Sequence, residues 1–113
     1  MPHLLFRGLE AEKLQQISRP LVDELAKVCS CGRDNFTLEC LNTTGVWEGE
    51  QVPSFPFVEV SWFERGDEVR DRFAEAVDRL VKTLGVPEFE IAFRTYEEKA
   101  YFIDGVRFDR YKG

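Results

Sequence analysis

Histidine and methionine occur once each, and cysteine only three times, in this chain of 113 residues. So small a supply of soft ligands argues against a metal centre. Cys29, Cys31, Cys40 and His3 do not form the paired C-x-x-C spacing of zinc sites, and no metal or cofactor is expected. Three is an odd number of cysteines, and Cys29 and Cys31 stand as C-x-C, too close for an ordinary structural bridge within regular backbone. Reduced thiols are the expectation. No apolar run approaches the roughly 20 residues that span a bilayer, and the N-terminus lacks the charged-then-apolar layout of a secretion signal. The sequence therefore predicts a cytoplasmic protein with no membrane partner. Basic residues are also outnumbered: 15 Lys and Arg face 21 Asp and Glu, for a net charge of -6 and a pI near 4.8. Such a surface repels phosphate backbones, so nucleic acid is not an expected partner.

Apolar and aromatic residues are well supplied. Hydrophobic residues make up 43% of the chain and aromatics 13%, ten of them Phe, enough for one packed core and too few residues for two. Pro2 to Arg7 reads as a strand closed by Gly8. Leu14, Ile17, Leu21, Leu25 and Val28 then recur at helical spacing, with a kink expected at Pro20 and a stop at Gly32. Phe36 to Leu41 reads as a second strand, and residues 42–56, rich in Gly, Pro and Asn, as a loop. Phe57 to Phe63 is β-branched and aromatic, a third strand, with Gly66-Asp67 as turn and cap. A second helix follows on the stripe Val69, Phe73, Ala76, Val77, Leu80 and Leu84, stopped by Gly85 and Pro87. Phe89 to Arg94 is a fourth strand, and Asp104-Gly105 marks a terminal hairpin.

The chain also repeats itself. Pro2, Asp23 and Phe36 are echoed by Pro56, Asp78 and Phe89 at offsets of 54, 55 and 53 residues. Each half is a βαβ unit with a right-handed crossover and parallel strands. The predicted fold is α+β in two layers: a four-stranded mixed sheet, two helices on one face, and a short C-terminal hairpin. It forms one domain over residues 1–113, with halves 2–44 and 56–98 and the hairpin at 100–108. With both helices on one side, Leu5, Phe93 and one alternation of FVEVSWF need cover on the other, and self-association supplies it. The hairpin is a further candidate for pairing with a neighbour's sheet edge.

A tandem βαβ chain whose second residue is Pro resembles the tautomerase superfamily, which includes the 4-oxalocrotonate tautomerase and macrophage migration inhibitory factor families. The MPHLLFRGLE start, VEVSWFER and YFIDG are similar to a family of domains of unknown function within it. The resemblance spans the whole chain. It implies a tautomerase-like fold, a homotrimer, and an N-terminal proline as catalytic residue once Met1 is removed. A prolyl amine is a secondary amine whose proton affinity falls on burial, which suits a general base moving a proton beside a carbonyl. The plain alternative is a Pro that only starts a strand, and a retained Met1 would make its nitrogen an amide.

Such chemistry on an acid needs cations. The superfamily's arginine at a helix start falls near Glu12 here, so other arginines must serve: Arg65 first, then Arg94, with Arg7 as the repeat counterpart of Arg65. Each has a simpler reading as a surface ion pair, with Glu64, Glu97 or Glu10. Trp62 and Phe63 face opposite sides of their strand, so at most one meets a pocket. Tyr101 carries a hydroxyl able to donate to an oxyanion. His3 falls on the face opposite Pro2 and is expected at a subunit contact. Cys29 and Cys31 end a helix, where the dipole disfavours thiolates, so they are expected to be unreactive. Trp47 serves as a lid or as a loop anchor.

The sequence therefore points to a tautomerase or isomerase-like protein with Pro2 as general base and Arg65, Arg94, Tyr101 and Trp62 as substrate-binding residues for a small unsaturated or α-keto carboxylate. The alternative is a non-enzymatic homotrimer of the same fold that binds or scaffolds. A thiol-based sensor through Cys29 and Cys31 is a third option.

Overall fold

The computed structural model describes residues 1–111. Strand β1 (His3–Arg7) leads into helix α1 (Ala11–Cys29), a single 3-10 turn and β2 (Thr37–Cys40). A hairpin, β3 (Gly45–Trp47) and β4 (Glu50–Val52), connects to β5 (Phe57–Trp62), α2 (Asp67–Lys82) and β6 (Glu90–Thr95). The chain closes with β7 (Phe102–Ile103), β8 (Val106–Arg107) and the one-turn α3 (Phe108–Tyr111).

The main sheet has the order β2-β1-β5-β6. Within each half the strands are parallel, β1 with β2 and β5 with β6, as a βαβ crossover requires. The halves meet where β1 pairs antiparallel with β5, in a register that sets His3 against Ser61 and Phe6 against Val58. Alternation along the strands then separates two faces. Leu4, Phe6, Val58, Val60 and Trp62 are buried against Leu14, Leu21, Leu25, Phe73, Val77 and Val81 of the helices. His3, Leu5, Glu59, Ser61 and Arg94 lie on the other face.

Helix α1 runs unbroken through Pro20, which is solvent-exposed. It ends earlier than the expected stop at Gly32. Ser30, not a glycine, takes the left-handed C-cap at φ 52 and ψ 47, and the Cys31 N–H closes on the Ala26 carbonyl at 3.1 Å. Residues 42–56 are not the unstructured loop expected: Glu48 and Gly49, both at positive φ, make the tight turn of a two-residue hairpin. Trp47 sits on that hairpin opposite Glu50, with 68% of its surface exposed. The Asp104-Gly105 turn forms as expected. The terminal hairpin pairs only with itself among the described residues, folding back on its own chain through Tyr101 and Phe108.

Gly8 turns the chain from β1 into α1 at φ +78, and a Cβ there would collide with the Phe55 carbonyl. Gly8→Ala is expected to cost more than about 1 kcal/mol. Phe73→Ala empties the centre of the core and is expected to cost about 3–5 kcal/mol. Glu75→Ala, exposed on the same helix, should stay within about 0.5 kcal/mol. Urea midpoints of the three variants check the ranking, and a Phe73→Ala midpoint near that of Glu75→Ala would refute the core assignment.

Candidate functional site

The chain begins at one end of the main sheet. Pro2 lies one step before the His3–Ser61 register and belongs to the helix-facing alternation; its side chain is fully buried. Its carbonyl accepts the Thr37 N–H at 3.1 Å, which extends the parallel ladder to the terminus. Trp62 ends β5 on the same face and is fully buried, packed edge-on to Phe73 and tilted against Phe93. The end of α1 brings Cys29 and Cys31 to the same corner.

Arg65 follows β5 by three residues and folds back over it. Its Nη1 donates to the Phe63 carbonyl at 2.9 Å and its Cζ lies 5.2 Å from the centre of the Trp62 ring. Among the described residues no carboxylate pairs with it. Glu64, the nearest in sequence, is taken up by Arg70 at 2.6 Å and by the backbone N–H groups of Arg65 and Gly66, and Arg70 also pairs with Asp67. The Arg65 charge is thus left to act on its surroundings. Burial, and then Arg65, hold the Met1 terminal amine below its ordinary proton affinity, with Cys31 and Cys29 acting in the opposite sense. The indole N–H of Trp62 is buried with no acceptor among the described residues.

The other sequence-derived candidates lie apart. Arg94 is on the opposite sheet face, its side chain 73% exposed and paired with Glu59 at 3.2 Å. Arg7 lies over the Phe57 ring at 4.7 Å, at the far end of β1. Tyr101 is also across the sheet, where its hydroxyl meets Nε2 of His3 at 2.9 Å while Nδ1 of His3 meets Thr37 Oγ1 at 2.7 Å. Phe63, Tyr96 and Phe108 close around the Tyr101 ring, and Tyr96 also meets His3 edge-on. The chain therefore brings Pro2, Trp62 and Arg65 together and keeps Arg94 and Tyr101 away from them.

Two features escape a reading of the sequence. The Thr37–His3–Tyr101 chain joins residues up to 98 positions apart, and nothing local signals it. The nearness of the thiols to the N-terminus depends on where α1 ends. One concavity of about 470 Å³, lined by Gly8, Glu10, Glu12, Leu41, Thr43 and Ser54, is at the opposite end of β1.

Among the described residues no helix is long and apolar enough to cross a membrane, and no cluster of three or more His, Cys, Asp or Glu is disposed to hold a metal. No curated protein matches the chain. The family described as "Domain of unknown function (DUF1904)" matches residues 1–107. A solved domain of that family from Sebaldella termitidis is 36% identical, with a TM-score of 0.89 over 96% of this chain and 100% of that one. A protein of unknown function from Vibrio cholerae is 34% identical, with a TM-score of 0.81 over 95% and 87%. Native fused 4-OT shares the fold at a TM-score of 0.80, with 11% identity over 98% and 99%, and fused 4-OT is also described as an asymmetric trimer. The fold is thus tautomerase/MIF-like.

Burial, and then the positive terminal amine, push the His3 pKa below its ordinary value of 6.5, against a smaller opposing pull from Glu39. The unfolded chain therefore takes up the His3 proton first as pH falls. The stability tied to neutral His3 is complete above about pH 6.5 and drains away as pH drops toward the lower folded value. Thermal midpoints should fall between pH 7 and 5.5 in the wild type and fall less in His3→Gln; equal slopes would refute this.

Proposed function

The chain belongs to the DUF1904 family, and on that premise we propose that it is a tautomerase-like isomerase in which the Pro2 amine, freed by removal of Met1, is the general base. Its substrate in this reading is a small unsaturated or α-keto carboxylate. The observation that carries the reading is the uncompensated Arg65 guanidinium beside a partly buried N-terminus. Such a setting lowers the proton affinity of a terminal amine, which suits a base that takes a proton from carbon next to a carbonyl and returns it at another position. The same guanidinium attracts the substrate carboxylate and the charge that develops on the enolate oxygen.

Each residue has a defined part in this scheme. Trp62 holds Arg65 against its ring, and the Phe63 carbonyl fixes one end of the fork, leaving the remaining N–H groups to the substrate. Arg94 and Tyr101 serve only from a neighbouring subunit, which is why the reading includes a homotrimer. No cofactor is invoked. Three free thiols fit the reducing cytoplasm.

The complete burial of the Pro2 side chain favours a second reading, a non-enzymatic homotrimer in which Pro2 starts a strand and Met1 persists. Intact mass of the native protein separates the two, since only the first requires loss of Met1. In the processed protein, exchange of the methyl protons of pyruvate in deuterated water should be accelerated. Pro2→Ala should lower that rate at least about 100-fold with an unchanged circular dichroism spectrum. A retained Met1, or a rate indifferent to Pro2→Ala, would overturn the general-base assignment.

A further inference from the structure

The corner that holds the N-terminus also holds two thiols in an uncommon backbone setting. Cys29 ends α1, Ser30 is the left-handed cap, and Cys31 follows it, its N–H bonded back to the Ala26 carbonyl. The separation between the Cα atoms flanking a residue depends on that residue's φ and ψ alone. The left-handed helical region mirrors the right-handed one, so Ser30 places Cys29 and Cys31 as a two-residue helical step does, about 5.4 Å apart. An extended residue would hold them about 6.6 Å apart, near the limit for a disulfide. The short separation is inside the usual disulfide range. It removes the objection that C-x-C spacing raises in regular backbone.

Access differs between the thiols. Cys31 lines an open concavity of about 670 Å³ with Asp23, Lys27, Ser30 and Arg33. Cys29 faces inward toward Arg65 and the terminal amine, and burial, with Cys31 adding to it, pushes its thiol up to about 11. Cys40 is far from both, its Sγ donating to the Leu9 carbonyl at 3.3 Å.

We propose that Cys29 and Cys31 form a dithiol site that reacts with low-molecular-weight disulfides, such as glutathione disulfide, and closes reversibly into an intramolecular disulfide. The Cys31 thiolate, reached from the concavity, attacks one sulfur of the external disulfide; a mixed disulfide forms and one thiolate leaves. Cys29 then gives up its proton and attacks Sγ of Cys31, forming the Cys29–Cys31 bond and expelling the second thiolate. The protein loses two electrons and two protons, and the external disulfide gains both and leaves as two thiols. Because Cys31 lines the open concavity, thiols can reach the bridge and reduce it again, as with an exposed regulatory disulfide. The site stands independently of any role for Pro2.

The test uses the full chain in glutathione buffers of graded oxidised-to-reduced ratio, followed by acid quench, denaturing alkylation with N-ethylmaleimide and intact mass. The expected product of oxidising buffers carries one label, on Cys40, and lacks two hydrogen atoms; reducing buffers return a species with three labels. Peptide mapping should place the bridge between Cys29 and Cys31. Cys40→Ser should leave the transition in place, and Cys29→Ser should stop at a lasting glutathione adduct on Cys31. Three labels at every ratio, a wild-type adduct that never resolves, or a bridge that includes Cys40 would overturn the proposal. The wild-type measurement decides the matter even where a cysteine variant fails to fold.

Discussion

The antiparallel pairing of β1 with β5 is the constraint on which the structure rests. Each half alone is a parallel strand pair with a helix on one side, too little to bury either helix's apolar stripe. The shared ladder places the helices side by side over one continuous surface, where Phe6, Trp62 and Phe73 lose all contact with solvent. The same ladder fixes the parity of every residue near the terminus. Because His3 faces Ser61, Pro2 must turn toward the helices and His3 away from them.

Much of this was legible in the sequence, for reasons that differ by element. The two helices were visible because Leu14 to Val28 and Phe73 to Val81 keep a helical period, and period survives any tertiary context. The terminal turn was visible because Asp104-Gly105 tolerates positive φ. The hairpin at 45–52 was hidden because its strands are three residues each and its turn is Glu48-Gly49, where a common turn residue is replaced by glutamate. The end of α1 was misplaced because a serine, not the nearby Gly32, took the left-handed position.

The candidate site was less legible. The proximity of Arg65 to the terminus follows from a fold-back onto the Phe63 carbonyl, a contact that no pattern announces. The separation of Arg94 from Trp62 follows from register: β6 sets Arg94 against Ser61 and Thr95 against Trp62, so one residue of offset sends the guanidinium to the other face. Charge pairing also resolved in a way that composition conceals. In a chain with an excess of acid, Glu64 is engaged by Arg70, and an arginine one residue away has no carboxylate partner among the described residues.

Chain order and spatial order disagree in a useful way. The first strand made is not at the margin of the sheet but in its interior, with hydrogen-bonded neighbours on both sides. Any extension fused ahead of Met1 must leave from between two strands, across the corner where Arg65 and the thiols gather, whereas α3, the last described element, stacks Phe108 on Phe63. A purification tag at the front of this protein therefore occupies the corner itself.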